Sequence, residues 1–273
     1  MTEKQNTYGK LTANDLRILL TFLPMIDKEQ AEMIQLVTEN YTDIFSEKTP
    51  HYYWCNMYEK PYPQHVAEVI TALGHQEELS SIANSENPTS KLLEFMKEMD
   101  GHPSAKDKTT FTSELNLAEI PLVLALNCSM VFTLRSLMVY GLYLNELLVI
   151  IREGKPSERD KAIFQAVRID PTVIGCPPVL GRISHAVMMN DEVFMNDLQL
   201  ATFGKFDYQK NKNYQKIRCV LQVLIETGAN NLSDVELKEL FVKELNIYSD
   251  SKFTAEKNLG EFARKFKKKK STI

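Results

Sequence analysis

The sequence predicts an all-α fold, a multi-helix globule of about eleven helices with central apolar helices at about 119–151. Three observations carry this expectation. Glycine is scarce, 10 in 273 residues, which is about half of the ~7% usual in proteins. Runs rich in Leu, Glu, Lys, Met and Ala recur along the chain, and these side chains lose least on entering a helix. No run alternates apolar and polar residues as a half-buried strand does.

The first helix is expected from Thr12 to Leu23, with Thr12 as its cap, Asp15 in its first turn and Pro24 as its stop. A second runs from Asp27 to about Phe45, where Asp27 and Gln30 resemble a capping box and Ala31, Ile34, Val37, Tyr41 and Phe45 recur at helical spacing. Residues 50–63 interrupt the pattern. Tyr52, Tyr53, Trp54, Tyr58 and Tyr62 fall there among prolines, in a loop that either closes over the core or presents a partner-contact surface. Helices follow at about 64–73, 76–83 and 88–99, the last opened by Asn87-Pro88. Residues 100–113 are polar and weakly patterned, as a linker is. The expected organisation is therefore an acidic helical region at 1–99, a linker at 100–113 and a larger helical domain at 114–273 with a basic C-terminal end.

Between Glu119 and Glu146 lie 26 residues with a single charge, Arg135. A membrane-spanning helix needs about 20 apolar residues, and the uncharged run before Arg135 has 15. One span over the whole segment would place Arg135 near the bilayer centre, at a cost of about 2.5–3.5 kcal/mol. A helix apolar all round and not in lipid is one buried on several sides. The segment therefore reads as core, without membrane insertion. The helix is expected to begin near Glu119, because Pro121 fits only a first turn, and to bend or divide at Gly141. Glu146 shares the face of Arg135 but lies ~16 Å along a straight helix. Arg135 is thus expected as a buried charge whose partner, a carboxylate or several backbone carbonyls, comes from elsewhere.

Beyond Gly154-Lys155-Pro156, a helix capped by Ser157 is expected to about Val167, then a turn-rich connector at 169–178 in which the Asp170 side chain bonds nearby amides. Helices follow at about 179–189, 191–203, 214–227 and 233–245, the last opened by the capping box of Ser233 and Glu236, and a final one starts near Thr254.

Charge is unevenly spread. Residues 1–119 carry a net −9, residues 120–203 a net −1 and residues 204–273 a net +6. An acidic front and a basic back direct any polyanion contact to the back. Lys205, Lys210, Lys212, Lys216 and Arg218 form one basic cluster and Arg264, Lys265, Lys267, Lys268, Lys269 and Lys270 another, with Phe206, Tyr208, Tyr214, Phe262 and Phe266 between them. Such blocks can neutralise phosphates and stack bases in DNA or RNA, or stand as a solvated lysine tail. The 233–245 helix is acidic on balance and poorly suited to a major groove.

The four cysteines, Cys55, Cys128, Cys176 and Cys219, are widely spaced. This fits reduced thiols in an intracellular, cytoplasmic protein, not a disulfide scaffold or zinc site. The first residues lack the apolar core of a secretory signal. No phosphate-binding glycine loop and no paired metal-ligand spacing occurs, so no cofactor or metal is expected. The best catalytic candidates are Cys176, placed just before a helix where a thiolate is favoured, and His185 nine residues on. A buried structural thiol explains Cys176 as simply. The leading expectation is a non-enzymatic helical protein acting through protein–protein contacts, an adaptor or regulator. The alternatives are a nucleic-acid-binding regulator using 204–218 and 264–270, and a cysteine-dependent enzyme centred on Cys176.

Overall fold

The computed structural model describes residues 7–21, 23–24, 74–86, 120–205, 212–250 and 255–271, with isolated positions between 28 and 95; for 120–128 it describes the backbone alone. The helix expected at 27–45, the aromatic loop at 50–63, the linker at 100–113 and Lys210 lie outside the described residues. Among the described residues 78% are helical and 2% are in strands, so the protein is all-α.

The described residues open with a minimal hairpin. Strand β1 (Thr7–Tyr8) pairs antiparallel with β2 (Leu11–Thr12), Tyr8 opposite Leu11. Two-residue strands are too short to show alternation, which is why sequence periodicity gave no sign of them. Thr12 then caps α1 (residues 13–21): Asp15 Oδ2 accepts from both Thr12 N and Thr12 Oγ1, each at 2.8 Å. Helix α2 (Gln76–Ala83) stands where it was expected.

The centre is α3 (Ile120–Tyr140), and it serves two cores at once. Phe132 packs into a first core with α4 (Leu144–Glu153), α5 (Pro156–Ile169), a 3-10 turn (Pro171–Gly175), α6 (Pro177–Met188) and α7 (Glu192–Phe203). Leu137 and Met138 pack into a second core with the hairpin, α1, α8 (Lys212–Glu226), α9 (Asp234–Lys238) and α10 (Ala255–Lys270). The N-terminal residues thus share a core with the C-terminal helices. Arg17 reinforces this by donating from Nε and Nη2 to the Glu244 carbonyl at 3.0 and 2.9 Å.

The apolar segment breaks at Gly141, whose φ of +74° is the left-handed conformation that ends helices. A 74° bend separates residues 129–140 from α4. No described helix is long and apolar enough to cross a membrane; only that bent pair passes by length and composition together. Arg135 is 1% exposed, within the core as expected.

Two expected boundaries need correction. Lys155, not Ser157, is the cap of α5, because Pro156 already occupies its first position, where a missing N–H costs nothing. The 233–245 helix is α-helical only to Lys238. Over Glu239–Glu244 the turns widen, and Leu245 N donates to Leu240 O, five residues back.

Candidate functional site

Helices α6 and α7 form a hairpin whose inner side is fixed and whose outer side is bare. Cys176 N-caps α6, with Pro177 at the first position. Asn190 takes φ +53° to reverse the chain, and Asp191 caps α7 by accepting from Phe194 N at 3.1 Å. Arg182 ties three elements together. Its Nε and Nη2 donate to Asp160 Oδ1 and Oδ2 of α5 at 2.8 and 2.9 Å, and Nη2 also reaches Asp191 Oδ2 at 2.7 Å. Its guanidinium lies 4.0 Å from the centroid of the Phe194 ring, which sits in the first core. Hydrogen bonds from Arg182 and from Phe194 N hold the Asp191 carboxyl below the usual range.

The outer side carries several exposed apolar side chains among polar ones. Val187, Met188 and Met189 close α6, with Met188 83% exposed; Val193, Leu200 and Phe203 line α7, with Phe203 81% exposed. Large apolar side chains scattered singly on a surface need no explanation; seven on one hairpin, Leu180 included, do. The signal was present in the sequence. Helix α7 reads EVFMNDLQLATF, apolar on more than one face; Phe194, Leu198 and Ala201 are buried and Met195 packs half-buried beside them, while Val193, Leu200 and Phe203 stay exposed. A cleft of about 280 Å³ opens at the hairpin tip, lined by Ala186, Val187 and Met195 with Asn190, Glu192 and Asn196. The exposed charges of α7 are acidic, Glu192 and Asp197.

Four of the basic C-terminal residues serve the fold. Arg218 Nη1 donates to the Met138 and Val139 carbonyls at 2.7 and 2.8 Å, and Lys269 Nζ to the Tyr140 carbonyl at 2.8 Å. Both place positive charge on the C-terminal end of α3, where the helix dipole favours it. Lys270 Nζ pairs with Glu146 Oε2 at 2.5 Å, side chains 10% and 19% exposed, and lies 4.5 Å from the Tyr143 ring centroid. The same carboxylate accepts from Tyr143 N at 2.6 Å and so opens α4. Arg264 pairs with Asp234 at 2.7 Å. Lys205, Lys212, Lys265 and Lys268 are exposed, while Lys216 and Lys267 are half-buried.

Cys176 is 3% exposed in the first core, whereas His185 faces solvent on α6, about 13 Å further along the helix axis. Asp170 is buried and accepts from Thr172 N at 2.9 Å, the turn its sequence implied. Cys219 is also buried, and burial, opposed by the charges of Arg218 and Arg135, pushes its thiol up to about 12. Among the described residues no three His, Cys, Asp or Glu side chains gather to hold a metal ion. Comparison with protein-family models, with curated proteins and with solved structures finds no match.

Proposed function

We propose that the protein is a non-enzymatic adaptor or regulator that works through protein–protein contacts, and that the outer face of the α6–α7 hairpin is its contact surface. The observation that carries this reading is the row of apolar side chains from Val187 to Phe203 standing in water on a hairpin whose inner side is pinned by Arg182. A preorganised apolar face loses little conformational entropy when a partner covers it. The partner it fits is an amphipathic helix with basic flanks. The apolar face takes its hydrophobic stripe, Glu192 and Asp197 take its charges, and the cleft beside Met195 takes one anchoring side chain.

Selection from a displayed library of amphipathic helical peptides tests this, with the Met188→Glu/Leu200→Glu variant as counter-target. Both positions are exposed, so the variant keeps its fold. Basic amphipathic peptides that bind wild type at least tenfold more tightly than the variant support the reading. Failure to enrich such peptides, or equal binding to both proteins, overturns it. A concentration-dependent mass in light scattering that the variant abolishes would assign the face to a second copy of the chain instead.

A further inference from the structure

A second cleft, on the opposite chemistry, lies between α4, α5 and α10. It holds about 590 Å³, within the range of small-molecule sites. Leu142, Val149, Ile150 and Ala162 supply its apolar lining. Lys161 of α5 and Lys265, Lys268 and Lys269 of α10 stand around it, against two carboxylates, Glu153 and Glu158. Among the described residues neither Lys161 nor Lys265 has an ion-pair partner. We infer that this cleft binds a small anionic amphiphile, a carboxylate or phosphate ester carrying an aliphatic or aromatic tail, with the tail on Val149 and Ile150 and the head beside Lys161 and Lys265.

The argument is one of mismatch between lining and rim. An apolar lining left open to water gains from any hydrophobic group that covers it. Four lysines against two carboxylates leave the opening net positive, and a bound anion lowers that charge. Of these lysines Lys161 bears on Lys269, after a larger effect of burial. Burial and then the charges of Lys161, Arg218 and Lys270 lower its ammonium to about 8, against the opposing pull of Glu146. Its exposed side is open to water, which screens part of this repulsion. A neutral amphiphile would use the lining but leave the rim unrelieved. A free inorganic anion would meet the rim but leave the lining wet. Only a ligand with both parts answers both features.

Isothermal titration of the full chain with decanoate and decyl phosphate tests the inference, with decanol and inorganic phosphate as controls. The expected result is saturable one-to-one binding of either anionic amphiphile, at least tenfold tighter than either control. In the Lys161→Gln/Lys265→Gln variant that affinity falls at least tenfold. Both lysines are exposed and outside the ion-pair network, so the variant unfolds at the wild-type temperature. Decanoate against decyl phosphate separates a carboxylate from a phosphate head. No saturable binding at millimolar concentration, equal binding of decanol, or an unchanged affinity in the double variant would each overturn the inference.

Discussion

Replacing Gly141 with alanine tests the break that organises the apolar segment. An L-residue in the left-handed region costs about 1–2 kcal/mol in backbone energy alone, and Gly141 sits there with φ +74°. A Cβ on Gly141 would also stand 3.2 Å from Phe266 Cε2, closer than ordinary van der Waals contact, with Cδ2 of the same ring at 3.4 Å. Phe266 is 6% exposed and packed in the second core, so its ring yields only by disturbing neighbours; overpacking of this kind costs about 1–3 kcal/mol. Together the two effects predict that Gly141→Ala loses about 2–4 kcal/mol, read from urea unfolding with an unchanged slope. The two parts separate in a double-mutant cycle. In a Phe266→Leu background the steric part disappears and the backbone part remains, giving a coupling of about 1 kcal/mol or more. A loss under about 0.5 kcal/mol would refute the left-handed break, and zero coupling would refute the approach of α10 to it.

Further outcomes follow from the same geometry. Lys270→Met strands the Glu146 carboxylate at 19% exposure and is expected to cost about 2–3 kcal/mol by urea titration, much of it regained in Lys270→Met/Glu146→Gln. Lys269 holds its proton less tightly when folded than when unfolded. Between its value of about 8 and the ordinary lysine value of 10.5, the unfolded chain binds more protons, and this residue makes stability rise with pH. The difference in unfolding free energy between wild type and Lys269→Met, followed across that window, should carry this slope; a flat difference contradicts it. Native-state alkylation by iodoacetamide, mapped by peptide mass, should leave Cys176 and Cys219 unmodified until the protein unfolds. Rapid native labelling of Cys176 would restore the enzyme reading. Ser233→Ala removes the Oγ that accepts from Glu236 N and should cost about 1 kcal/mol by thermal or urea unfolding.

The sequence carried the helices well where local chemistry sets their ends. Ser157, Asp191 and Ser233 each mark a start that the structure shows within two residues, because capping is decided by groups close in sequence. Gly141 was legible for the same reason. What periodicity could not give is where a side chain goes when its partner lies far along the chain. The run Lys267–Lys270 has the composition of a loose tail, yet Lys269 and Lys270 reach residues 129 and 124 positions away. Nothing near them in sequence announces those partners. The exposed face of α7 was half legible. Its apolar excess stands in the sequence, but which residues turn outward depends on α5 and α6 packing against the other side.

The capping of α3 by α10 has a consequence for synthesis. The carbonyls of Val139 and Tyr140 and the carboxylate of Glu146 leave the ribosome more than seventy residues before Arg218 and more than a hundred before Lys269 and Lys270. Until those cations emerge, the bend at the middle of the chain is an open joint with unmet hydrogen bonds. A chain stopped short of its last turn would hold nearly all of its apolar residues and still lack the groups that close that joint. Lys269 and Lys270 thus close that joint only after most of the apolar residues of both cores have been made.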